Sequence, residues 1–201
     1  MNIDQIKKEF PIFDNKVQNN DLVYLDSANS SQKPRIVIDR IYDFYSKEFS
    51  NVGRSVHYLA VAATNLYEQT RTSVQKYINA SDKNEIVFTK GATEAINLVA
   101  NTFGQKYLDE GDEVLITELE HHSNYVPWHF LRKSKKINIE FAEVNDQGEV
   151  TLEEIKKKIT DRTKIICVTH LSNVTGAILP IKEIVKLAHS KGIPVLVDGC
   201  Q

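Results

Sequence analysis

The sequence predicts an α/β protein built on a mostly parallel sheet with flanking helices. Short apolar runs alternate with amphipathic helical patterns from residue 85 onward, the rhythm of a parallel sheet with crossover helices. Several of the runs are apolar throughout, as strands are when both sheet faces are covered. Of 201 residues, 41% are hydrophobic and 26% charged, a globular balance at a length suited to one large domain or a domain and part of another.

The elements follow in order. Residues 3–10 read as a short helix stopped by Pro11. Pro34 opens a helical pattern over 34–50, with Ile38, Ile41, Tyr42 and Tyr45 at helical spacing, and a longer one covers about 56–79. Strand-like runs come at 85–89 (EIVFT), 113–117 (EVLIT), 137–141 (INIEF), 164–169 (KIICVT) and 194–198 (PVLVD). Between them lie helical patterns near 93–108, 123–135, 151–159 and 180–190. Ile181, Ile184, Val185 and Ala188 form the stripe of a helix that covers a core. INIEF alternates apolar with polar residues, which places it nearer a sheet edge.

Composition narrows the function classes. A formal net charge of −2 supplies no basic field for nucleic acid. Lys156, Lys157 and Lys158 follow Glu153 and Glu154 on a helical pattern and read as a solvated face. No apolar run is long enough to span a bilayer, and the N-terminal ten residues mix charge and apolar groups too evenly for a signal peptide. Cys167 and Cys200 sit in or beside apolar runs and are expected to pack as small hydrophobes in a reducing cytosol.

In an open parallel sheet, ligands bind beyond the carboxyl ends of the strands. Four segments fall there. In Thr89-Lys90-Gly91-Ala92-Thr93-Glu94 a strand-like run meets a helix start through small residues. A helix start suits a phosphate, and it also suits a plain cap made by Thr93. Glu118 to Asn124 carries the adjacent His121 and His122. Neighbouring residues point apart and no third ligand stands at zinc spacing, so a flat imidazole beside a cofactor ring, able also to move protons, is preferred over metal; the other reading is a pair of solvent-facing loop histidines. In His170 to Gly176, Asn173 either aims its amide at a ligand or makes an Asx turn. Asp198 ends an apolar strand, where a carboxylate requires a cationic or hydrogen-bonding partner. A protonated pyridine nitrogen is one such partner; a ribose or a magnesium ion are others.

Read jointly, these segments resemble one family. YLDSANSSQKP (24–34), NVGRSVHYLA (51–60), FTKGATEAINLVA (88–100), ITELEHHSNYVPW (116–128), THLSNVTGAILPI (169–181) and PVLVDGCQ (194–201) are similar, in order and spacing, to the class V aminotransferase-like cysteine desulfurases, specifically the SUF-type (SufS-like) group. The resemblance implies the large-domain architecture of the fold type I pyridoxal-phosphate (PLP) transferases. It implies residues 1–25 as a lead-in, 26–201 as the N-terminal part of the PLP-binding domain, and a smaller C-terminal domain outside this sequence. Ala92 and Thr93 would grip the cofactor phosphate, His121 would stack on the ring and handle protons, and Asp198 would pair with the ring nitrogen. Gln201 would bond the phenolic oxygen, and Asn173 would lie near that oxygen and the substrate carboxylate. His57 would stand at the mouth of the site with Ala28 and Asn29 on its floor; the other reading of His57 is a helix-start residue.

The implied activity converts L-cysteine to L-alanine and passes sulfur through an enzyme persulfide to a sulfur-acceptor protein for iron–sulfur cluster assembly. The implied assembly is a cytoplasmic homodimer. Relatives with other outcomes are a selenocysteine lyase acting on L-selenocysteine, another class V enzyme, or a non-catalytic remnant. The family's Schiff-base lysine, sulfur-accepting cysteine and carboxylate-binding arginine fall past Gln201, and neither Cys167 nor Cys200 matches that cysteine. The 201 residues by themselves are therefore expected to be inactive.

Overall fold

A computed structural model describes residues 2–201, which form two compact units meeting in sequence between Phe88 and Thr89. In the first unit, helix α1 (Ile3–Lys8) starts where the Asn2 side chain accepts the Asp4 and Gln5 amides at 3.2 and 3.4 Å. A 3-10 turn over Pro11–Asp14 follows. Strands β1 (Lys16–Val17) and β2 (Asn20–Asp21) then form a tiny hairpin. Its two turn residues, Gln18 and Asn19, take φ values of 51° and 67°, the twist that a two-residue hairpin favours. Helix α2 (Arg35–Asp43) begins after Pro34, which caps rather than enters it, and runs into a π-helical turn over Phe44–Glu48. Helix α3 (Tyr58–Tyr77) is the longest element.

The strand expected at 85–89 does not form. A 3-10 turn takes Lys83–Glu85, and the chain runs extended through Thr89 without a ladder partner. Side chains of α3 occupy it instead. The Arg71 guanidinium donates to the Ile86 carbonyl and lies 4.9 Å above the Phe88 ring, which packs edge-on to Tyr67 at 5.1 Å. Apolar, β-branched sequence becomes a strand only where a neighbour takes its backbone groups.

The second unit holds α4 (Ala92–Val99), a π-helical turn over Ala100–Gly104 and α5 (Gln105–Tyr107) in one helical run. After it come β3 (Glu113–Thr117), α6 (Val126–Lys135), β4 (Asn138–Ala142), α7 (Leu152–Lys158), β5 (Thr163–Thr169), α8 (Ile181–His189) and β6 (Val195–Asp198). The four strands pair in parallel in the order β4-β3-β5-β6, so the parallel sheet read from sequence is present and INIEF is an edge.

Alternate residues of the central strands feed two cores. Leu115, Ile166 and Val168 pack with Ile155 of α7 and Ile184 of α8 on one face. Val114, Ile116, Ile165 and Cys167 pack with Trp128 and Leu131 of α6 on the other. Gly104 is pressed onto this second core: a Cβ there would stand 2.5 Å from the Leu131 Cδ2 methyl.

The basic run on α7 is a surface face laced with acids, Lys158 reaching Glu143 at 2.8 Å and Lys157 reaching Glu154 at 3.5 Å. Both cysteines are free thiols. Cys167 is buried as expected, but Cys200 is exposed, because the chain has left the sheet two residues earlier. No helix among the described residues is long and apolar enough to cross a membrane.

Candidate active site

The site is assembled by the strand ends of the second unit. Register pairs Thr169 of β5 with Asp198 of β6, and the His170 amide donates to the Asp198 carbonyl at 2.8 Å. Asp198 is only 6% exposed. Its Oδ1 accepts the Cys200 amide at 3.1 Å, and no cation among the described residues pairs with it. A buried carboxylate left without a counter-charge is poised for one supplied by a ligand.

That carboxylate faces a cavity of about 420 Å³ whose opposite wall is the start of α4, with Ala92, Ala95 and Ile96 across from Leu196, Asp198 and Cys200. The structure thus brings Ala92 and Asp198 to one space. Gly91 caps α4 without a side-chain bond, so Thr93 lies inside the first turn and is not the cap. Its hydroxyl is exposed, and the Glu94 carboxylate folds back to accept the Lys90 amide at 2.6 Å. An added Cβ on Gly91 would touch nothing within 4 Å, leaving open room beside the unpaired amides of the first turn.

His121 caps the 3-10 turn His122–Asn124, which packs against α4. Its ring is exposed. Nδ1 accepts the Ser123 amide at 3.2 Å and lies 2.8 Å from the Ser123 hydroxyl, which leaves Nε2 as the outward edge. His122 stands 5.9 Å from it, ring to ring, and no cluster fit for a metal occurs among the described residues. Asn173 is exposed, and Ser172 makes the turn, its hydroxyl accepting the Val174 and Thr175 amides at 3.3 Å. Gln201 is exposed three residues after Asp198.

The other three candidates belong to the first unit. Asn29 donates to Asp26 at 3.2 Å, and Ala28 sits in the same turn. His57 caps α3, its Nδ1 accepting the Ala60 amide at 3.4 Å, which is the helix-start role that the sequence also allowed.

One residue went unread in the sequence. The Glu120 carboxylate accepts from the Thr117 hydroxyl at 2.6 Å, the Asn124 amide at 2.6 Å and the Thr169 backbone at 2.8 Å. Burial pushes its pKa up to about 7 against those three bonds, with the Asp198 charge adding to the rise. Partial desolvation, with the hydrogen bond and charge of Asp198, raises the thiol pKa of the otherwise exposed Cys200, so it is held away from the thiolate form a nucleophile requires.

The aminotransferase class-V family model matches residues 23–201. The chain belongs to that family. A probable cysteine desulfurase of Halalkalibacterium halodurans is 46% identical over 201 residues, covering 100% of this chain and 50% of the relative. Among solved structures, the cysteine desulfurase of Thermococcus onnurineus superposes with a TM-score of 0.88 at 34% identity, covering 98% of this chain and 47% of that one. The cysteine desulfurase CsdA of Escherichia coli gives 0.85 at 35%, covering 100% and 49%. This class V chain therefore spans about half the length of these relatives and has their α/β fold over that span. Class V enzymes of this kind depend on PLP, and the residues here fit it: an uncompensated buried acid for the ring nitrogen, and an open helix start for the phosphate.

Proposed function

We propose that this chain is the cofactor-holding part of a PLP-dependent cysteine desulfurase, which converts L-cysteine to L-alanine and hands on the sulfur as an enzyme persulfide. The observation that carries the reading is the single cavity shared by the first turn of α4 and the cation-free carboxylate of Asp198. PLP, when bound, supplies a protonated pyridine that draws electrons from the substrate α-carbon.

The chain's own groups hold and orient. Backbone amides at Ala92 and Thr93, with the Thr93 hydroxyl, receive the phosphate. Asp198 accepts the ring N–H and keeps the pyridine protonated. His121 covers the ring, and with Nδ1 engaged by Ser123 it holds or moves a proton through Nε2. Gln201 bonds the phenolic oxygen, while Asn173 serves that oxygen and the substrate carboxylate. The family resemblance assigns Ala28, Asn29 and His57 to substrate binding.

The finer assignments rest on the resemblance: the SUF type, a cytoplasmic homodimer, a sulfur-acceptor protein and iron–sulfur cluster assembly. The 201 residues alone bind the cofactor but do not turn over cysteine, since no lysine here stands at the family's Schiff-base position.

The test is PLP titration followed by absorbance and induced circular dichroism, with Asp198→Asn and Thr93→Val as variants. Saturable binding weakened by both changes, with no alanine released from cysteine, is expected. Equal PLP affinity in wild type and Asp198→Asn refutes the pocket, and alanine release above that of free PLP refutes the inactivity.

A further inference from the structure

We propose that Glu120 is a positioning residue of the ring pocket: a buried acid that ties the His121 loop to the strand end carrying Asp198 and rearranges that loop when it gains or loses its proton. The proposal rests on the pocket reading above for what the loop serves, while the linkage itself stands on the hydrogen bonds.

Three elements meet at this carboxylate. Thr117 ends β3, the Thr169 amide ends β5 beside Asp198, and Asn124 leads into α6. Glu120 is thus the clamp between two strand ends and the turn that begins with His121. Asn124 is fully buried; it gives its amide N–H to Glu120 and leaves its own Oδ1 without a partner. Only the negative oxygen of Glu120 therefore fixes which way that amide faces. A proton on Glu120 turns the acceptor into a donor, and a rotated Asn124 meets it with the oxygen that is now unsatisfied.

The turn His122–Asn124 then has two hydrogen-bonding arrangements that differ by one proton. The charged group acting on Glu120 is Asp198 on β6; the Cys167 thiol on β5, its pKa pushed up by burial and by Glu120, is neutral, as are the contacts from β3 and from the α6 lead-in. The Asp198 charge at the neighbouring strand end opposes ionisation of Glu120. Removing the Asp198 charge by substitution, or compensating it with a bound pyridinium, therefore favours ionised Glu120 and the arrangement seen here. In this way the occupant of the ring site is reported to the His121 loop through Glu120.

The test is a pH titration of the cofactor-free chain by carbon-13 NMR with labelled glutamate carboxyls, Glu120 being assigned from Glu120→Gln. Glu120 is expected to ionise last among the glutamates, with the Asn124 amide and His121 ring signals moving in the same step. Asp198→Asn lowers the midpoint, and Glu120→Gln removes the step from the Asn124 signal. A Glu120 midpoint among the exposed glutamates overturns the proposal, as does a midpoint indifferent to Asp198→Asn. An Asn124 step that persists in Glu120→Gln overturns it as well. Should Asp198→Asn not fold, PLP added to wild type is the second perturbation and must lower the midpoint likewise. PLP binding is scored separately: its absence sinks the pocket reading and leaves the Glu120 linkage to be judged by the titration of wild type and Glu120→Gln.

Discussion

The two ends of the sheet are built alike and equipped differently. At the amino end, Glu113 opens β3 and accepts the Thr160 and Thr163 hydroxyls at 2.5 and 3.3 Å, one of them from the first residue of β5. At the carboxyl end, Glu120 follows β3 and accepts from Thr117 and from the last residue of β5. Both are strand-end glutamates stapled to threonines. The amino end also carries a cation, Lys164, 3.7 Å from Asp112. The carboxyl end gathers Glu120 and Asp198, and neither makes an ion pair among the described residues. Unbalanced buried charge is what a structural staple avoids and what a ligand site maintains.

The comparison can be broken in four ways. The largest effect concerns pH. Glu120 keeps its proton in the folded chain up to about pH 7, while an unfolded glutamate releases it near 4.5. Between these values the folded state holds the extra proton, so stability falls as pH rises. Wild type should lose about 3 kcal/mol across this window relative to Glu120→Gln, measured by urea unfolding. The contrast fails if Glu113→Gln flattens the profile to the same degree.

Next, Asp198→Asn should weaken PLP binding by about a hundredfold, the worth of one charge-assisted bond, as read by absorbance titration. Glu113→Ala should cost about 2 kcal/mol of stability by leaving the buried Thr163 hydroxyl, and the exposed Thr160 hydroxyl beside it, without their acceptor, yet leave PLP affinity unchanged; a loss of affinity there would mean the ends are not separable. Smallest is Thr93→Val, expected to lower PLP affinity about tenfold for one solvent-exposed hydrogen bond to the phosphate, with the same urea midpoint as wild type.

Most of the second unit was legible because its strands are apolar through their length and its helices carry one clear stripe. EVLIT and KIICVT lie within one residue of β3 and β5, and the stripe from Ile181 to Ala188 is α8. The run at 85–89 misled because strand-like composition does not reveal whether a neighbour exists, and here the Arg71 and Tyr67 side chains pack on it instead. Within the site, Asp198 and the α4 start stood out by position alone. Glu120 was missed because a glutamate in a polar loop beside two histidines reads as solvated. The signal was present in the spacing of Thr117, Glu120 and Asn124, but its meaning depends on Thr169, 49 residues away. Cys200 misled for a plainer reason: an apolar strand says nothing of the exposure of the residue two places past its end.

Gly104 gives the helix at the pocket a fulcrum. From there back to Ala92 the helical run extends roughly 18 Å, and its far end has no room for even one more methyl against Leu131. A wedge at residue 104 would tilt the whole rod, and the displacement would be felt most at the tip where anion-seeking amides await their ligand. Gly104→Ala should therefore blunt phosphate capture from a distance, while the same change at Gly91, where space is open, should not crowd its surroundings; equal PLP affinity for Gly104→Ala and wild type would show that the rod bends instead of swinging.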